Sequence, residues 1–97
     1  MKLNHEALHL LAKDLRKQDP RPAEQELGGY RKAARCLDKC RASLLGWQGD
    51  FTYGCPMDRE FLDEAGLEVQ EFKNFVATGA SDEEVAQWIE EHAQVTR

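Results

Sequence analysis

The chain has 97 residues, of which 41% are apolar and 32% charged, and a formal net charge of −5. That length suits one domain with a modest core, and it leaves little interior for an enclosed active site. The longest apolar runs fall far short of the roughly 18 residues of a membrane span, so no membrane-crossing helix is expected.

The apolar spacing predicts a first helix over residues 3–16, with Leu8, Leu11, Ala12 and Leu15 on one face, Ala7 beside them and Asn4 as N-cap. Two prolines one residue apart, Pro20 and Pro22, break the chain next. Leu27-Gly28-Gly29 opens a second helix over residues 30–45 that ends at Gly46. Its apolar arc holds Tyr30, Ala33, Ala34, Leu37, Cys40 and Leu44, and Arg31, Lys32, Arg35 and Lys39 form a basic back.

Residues 47–53 are aromatic around Gly49-Asp50, which suggests an extended loop or a small β-ribbon between helices two and three. Pro56 sits where a third helix should start, Phe61, Leu62 and Ala65 should face inward, and Gly66 should end it. A fourth helix is predicted over residues 69–78 with Val69, Phe72, Phe75 and Val76 as its stripe, ended by Gly79. Ser81 with Glu84 reads as a capping box for a fifth helix carrying Val85, Trp88, Ile89 and His92 on one face. The expectation is an all-α fold, a single helical domain over residues 1–97.

Four segments then stand out: Leu27-Gly28-Gly29-Tyr30, Asp38-Lys39-Cys40-Arg41-Ala42, Cys55-Pro56-Met57-Asp58 followed by Phe61, and Thr78-Gly79 with Ser81-Asp82-Glu83-Glu84-Val85 and Trp88. In this order and spacing they resemble a family of small bacterial proteins known as a domain of unknown function. The resemblance runs from about residue 18 onward. It implies a compact bacterial domain, and it brings no assigned activity, ligand or catalytic residue.

Several constellations bear on chemistry. His5-Glu6-Ala7-Leu8-His9 matches the H-E-x-x-H helix motif of zinc proteases, but both histidines fall away from the leucine stripe and no sheet or third ligand frames them. Cys36, Cys40 and Cys55 with His92 make a second conceivable ligand set of undiagnostic spacing. We therefore expect no metal and no cofactor. Cys55 should lie at the N-cap of helix three, where unpaired N–H groups and the helix dipole favour a thiolate, while Asp58 repels one.

Arg41 falls inside the apolar arc of helix two, so it is either a buried ion pair with Asp38 or Asp58 or a ligand-facing cation. Arg41, Cys55, Asp58 and Asp38 thus form one candidate ligand or thiol site. Gly28, Gly29, Arg31 and Lys32 form a candidate anion site, for which Glu24 or Glu26 could instead provide the counter-charge.

Charge is unevenly distributed. Residues 1–45 hold ten Lys/Arg against six Asp/Glu, and residues 46–97 hold three against twelve. The halves either pack against each other within the fold or offer a complementary surface to a charged partner, including a second copy in a homodimer. Nucleic acid is disfavoured, because the acidic half would be repelled. Three cysteines without disulfide spacing, and a polar His5-Glu6 where a signal peptide would be apolar, lead us to expect a cytoplasmic protein. With no nucleophile–base set in view, the first functional reading is a non-enzymatic binding or protein-interaction module. The alternative is anionic-ligand binding or thiol-based activity centred on Cys55 and Arg41.

Overall fold

The computed structural model describes residues 3–93, so residues 1–2 and 94–97 of the single domain expected above lie outside the described residues. Five helices follow one another: α1 (His5–Leu11), α2 (Ala33–Leu45), α3 (Pro56–Ala65), α4 (Val69–Val76) and α5 (Asp82–His92). Among the described residues no strand forms; the sole β feature is an isolated antiparallel bridge between Leu27 and Tyr30.

The first helix is shorter than its apolar spacing predicts. Asn4 caps it by accepting from the Ala7 N–H, and Ala12 at its far end is already extended. Leu15 is buried nonetheless, from a separate turn whose backbone N–H donates to the Trp47 carbonyl at 2.9 Å. Asp14 holds that turn by accepting from the Arg16 backbone and guanidinium.

The second helix starts three residues later than expected. Gly28 and Gly29 both have positive φ, 62° and 86°, and Leu27 and Tyr30 exchange backbone hydrogen bonds across them. That is the geometry of a type I′ turn, which needs two residues free of a Cβ penalty. A Cβ on Gly28 would also lie 3.0 Å from Ile89 Cβ, so this turn seats directly on α5.

The expected ribbon at residues 47–53 does not form. Its aromatic side chains point to three different partners: Trp47 meets His9 and Arg16, Phe51 meets Arg35, and Tyr53 meets Phe72. A segment pulled three ways cannot keep the alternating pattern that strand pairing requires. Tyr53 donates its hydroxyl to the Val69 carbonyl at 2.7 Å, and burial pushes that hydroxyl's pKa well above its ordinary value.

Helix α2 is the centre of the molecule and touches α1, α3 and α4. Its buried residues include Ala33, Cys36, Leu37 and Cys40, against which Phe61, Leu62, Phe72, Val76, Val85 and Ile89 pack. Aromatic rings link the other helices: Phe61 to Phe72, Phe72 to Trp88, and Trp88 to both Phe75 and His92. Such edge-on and offset ring pairs add to simple area burial. The capping box of α5 is complete, Ser81 and Glu84 each accepting from the other's backbone.

The turn between α4 and α5 carries α1. A Cβ on Gly79 would stand 2.6 Å from Ala7 Cβ, and Asn4 donates to the Ala77 and Thr78 carbonyls. The opposite charges of the two halves meet within the fold. Four ion pairs cross from one to the other: Arg21–Asp82, Lys32–Glu60, Lys39–Asp58 and Arg41–Asp82.

Candidate functional site

Because α2 is enclosed on most of its circumference, its polar residues are buried too, and they form two clusters on different flanks. Asp38, Lys39 and Arg41 are consecutive or nearly so, and helical geometry turns Lys39 away from the other two.

The first cluster joins α2 to the start of α3. Cys55 is the N-cap of α3, as its place before Pro56 predicts, and its side chain caps no backbone N–H. Instead Lys39 donates to it, with Nζ 2.9 Å from Sγ. The same Nζ lies 3.0 Å from Asp58 Oδ2, which also accepts from the Gly54 N–H. Lys39 is 4% exposed and Asp58 is enclosed, so this is a buried salt bridge with a partly buried thiol as its third member.

Burial works against the Lys39 ammonium, but its contacts with Cys55 and Asp58 outweigh it and hold its pKa above the ordinary lysine value. The placement of Lys39 on an exposed basic back is therefore corrected. A like-charge repulsion between Asp58 and a Cys55 thiolate is met by the cation that touches both. Asp58 Oδ1 is buried with no hydrogen-bond partner among the described residues.

The other two thiols differ in kind. Burial, reinforced by the nearby Asp58 charge, lifts Cys36 well above its usual pKa, and burial does the same to Cys40. Both are enclosed and stay protonated, whereas Cys55 reaches the surface.

The second cluster ties the proline-flanked segment, α2 and α5 together. Arg21 donates its backbone N–H to Asp38 Oδ2 at 2.7 Å and its guanidinium to both Asp38 and Asp82. Its neighbours Pro20 and Pro22 lack an N–H, so Arg21 holds the single backbone donor of that stretch. Arg41 is 2% exposed; it donates to Asp82 Oδ1 at 2.8 Å and to the Ala80 carbonyl at 2.9 Å. Its carboxylate partner is thus Asp82, not Asp38 or Asp58, because those two are already held by Arg21 and Lys39. Arg41 Nε is buried with no partner among the described residues.

Over this network lies an open groove of about 560 Å³, lined by Leu10, Leu11 and Lys13 on one side and Ser81, Asp82 and Glu83 on the other. Leu10 is 84% exposed at its lip.

Asp82 makes the network sensitive to acid. Burial raises its pKa, but hydrogen bonds and charge from Arg21 and then Arg41 prevail, and the net shift is downward from 3.8. A carboxylate depressed in the folded state stabilises the fold above its unfolded value, and the gain is lost as the pH falls through its folded value. Denaturation midpoints should therefore fall on acidification below 3.8 more steeply for the wild type than for Asp82→Asn. Equal slopes would show that Asp82 is not charged in the network.

The remaining candidates separate. Gly28 and Gly29 form the tight turn described above and do not begin α2, so their N–H groups do not join a helix N-terminus. Lys32 pairs with Glu60 at 2.6 Å, rather than with Glu24 or Glu26. Arg31 and Lys32 line a second groove of about 530 Å³ together with Glu26 and Glu64, which cancels the positive potential an anion would need. His5 and His9 are exposed, and His9 bonds through Nδ1 to the His5 carbonyl.

Arg41 and Cys55 belong to different clusters, so the four-residue candidate site divides into Arg41 with Asp38 and Cys55 with Asp58. Lys39, Arg21 and Asp82, which complete them, escaped the sequence reading. Lys39 had a signal in its place within the Asp38-to-Ala42 segment, between an acid and a thiol.

Four helices around a nearly enclosed α2, whose polar residues are tied into two buried ion clusters, define a small all-α protein built about one central helix. Residues 17–97 match the family described as a domain of unknown function, DUF5069, and the chain belongs to that family. A search of the curated proteins finds no match. No helix among the described residues is long and apolar enough to cross a membrane.

Proposed function

We propose that this chain is a small non-enzymatic binding module that receives a segment of a partner protein in the groove between α1 and the start of α5. The observation that carries this reading is Leu10, a large side chain left 84% exposed at the lip of a groove whose floor is a hydrogen-bonded charge network. Exposed apolar surface beside fixed polar groups is the usual make-up of a recognition site. An apolar side chain of the partner would rest on Leu10 and Leu11. A basic residue beside it would meet Glu83 and the exposed edge of Asp82. Lys13 offers less competition, since it donates to the Asp19 carbonyl.

Peptides selected by display against the protein test this. Binders should carry an apolar anchor with a neighbouring base, and should shift the amide resonances of Leu10, Leu11, Ser81 and Glu83. Leu10→Ser should change stability by no more than about 0.5 kcal/mol and weaken those peptides at least about tenfold. Binders indifferent to Leu10→Ser would reject the groove.

A second reading, thiol-based activity, is favoured by the contact of Lys39 with Cys55. It centres on Cys55 with Lys39 and Asp58, and Arg41 has no part in it. A small alkylating agent at neutral pH should modify Cys55 before Cys36 or Cys40, as mass mapping would reveal. Modification of Cys40 first would exclude this reading.

A further inference from the structure

The Lys39–Cys55 contact is close for this pair of atoms. Sulfur is larger than oxygen, and a 2.9 Å separation between Nζ and Sγ is the length expected of a hydrogen bond to oxygen. Two helices fix it: Lys39 is held by the centre of α2, and Cys55 is the N-cap of α3 directly before Pro56. The atoms are too far apart for a direct S–N bond without a large shift of a buried side chain. A single oxygen atom can span them with little movement.

We propose that Lys39 and Cys55 form a peroxide-driven, reversible covalent cross-link through one bridging oxygen, Sγ–O–Nζ, which staples α2 to the start of α3. The proposal rests on the second reading above, that Cys55 is a reactive thiol.

The chemistry closes with two equivalents of hydrogen peroxide. In the first step the Cys55 sulfur attacks one peroxide oxygen, the O–O bond breaks, and sulfenic acid and water result. Lys39 must then act as a free amine. Its proton goes to Asp58 Oδ2, 3.0 Å away, and from there to solvent, while the hydroxide released in the second oxidation takes a second proton from the nitrogen itself. The neutral Nζ attacks an oxygen of the second peroxide and becomes a hydroxylamine, with water released. Condensation of the hydroxylamine with the sulfenic acid forms the Sγ–O–Nζ bridge and expels the third water. One thiol, one amine and two peroxides thus give the bridge and three waters. Four equivalents of an external thiol reverse it, yielding two disulfides, one water and the original side chains.

Geometry also limits the competing outcomes. Cys36 and Cys40 are enclosed and protonated, so they are poor partners for a Cys55 sulfenic acid. Lys39, by contrast, already touches the sulfur.

Intact mass of the full chain after mild peroxide treatment decides the matter. The expected product gains one oxygen and loses two hydrogens, resists trypsin at Lys39, gives one fragment containing both Lys39 and Cys55, and reverts with excess thiol. Lys39→Arg keeps the positive charge but has no such amine, and should stop at a dimedone-reactive sulfenic acid. Gain of oxygen alone in the wild type, loss of two hydrogens alone by a Cys36–Cys55 disulfide, or direct passage to sulfinic acid would each overturn the cross-link. Preferential alkylation of Cys55 in the same preparation would leave the reactive-thiol reading standing in those cases. Its absence would remove both.

Discussion

Lys39→Met should lower the stability of the protein by about 3–5 kcal/mol, because it strands a buried carboxylate whose ion-pair partner among the described residues is Lys39. Asp58 is enclosed; among the described residues its Oδ2 would keep only the Gly54 N–H, and its Oδ1 has no partner even in the wild type. The salt bridge itself need not be a net stabiliser; what costs is breaking one side of it. Replacing both partners tests that distinction. Lys39→Met with Asp58→Leu should recover most of the loss, since two apolar side chains in place of a buried ion pair are often near neutral. Urea denaturation of the wild type, the single variants and the double variant supplies the full cycle. A loss below about 1 kcal/mol for Lys39→Met would mean the pair is solvated and structurally minor.

The same pair shows where sequence reading stops. Apolar periodicity and the capping residues locate all five helices, and α3 and α5 begin where Pro56 and Ser81 place them. Boundaries drift where tertiary contacts override local preference. Leu15 has the right spacing for α1, yet it reaches the core from a turn tied to Trp47, and residues 30–32 are taken up by the bridge at Leu27 and Tyr30. The candidate site was legible in its residue types but not in its pairings.

A helical wheel assumes one wet face, and α2 hardly has one. Lys39 looks like an exposed cation only until α3 is laid over it. The partner of Arg41 was invisible for a similar reason. Asp82 is forty-one residues away at the start of α5, where its place in the first turn already explains it as a helix-dipole residue.

Arg21 and Arg41 look interchangeable on paper, and their unequal partners predict unequal costs. Arg21→Met leaves Asp38, which is buried, with a single backbone N–H in place of a charged fork, so the loss should be about 3–5 kcal/mol. Arg41→Met strands no buried carboxylate. Asp82 keeps Arg21, and its side chain is 46% exposed to water; the principal loss is the hydrogen bond to the Ala80 carbonyl, worth about 1–3 kcal/mol when left unmade in the interior. Lysine controls sharpen the contrast. Arg21→Lys retains a charge but cannot span Asp38 and Asp82 together, since its ammonium is a point and not a planar fork. It should therefore fall between wild type and Arg21→Met, while Arg41→Lys should stay close to Arg41→Met because its shorter reach must choose between Asp82 and Ala80. Chemical denaturation of the five proteins settles the order. A larger loss for Arg41→Met than for Arg21→Met would place the weight of the network on Arg41 and would mean that Asp82, not Asp38, is its costly buried charge.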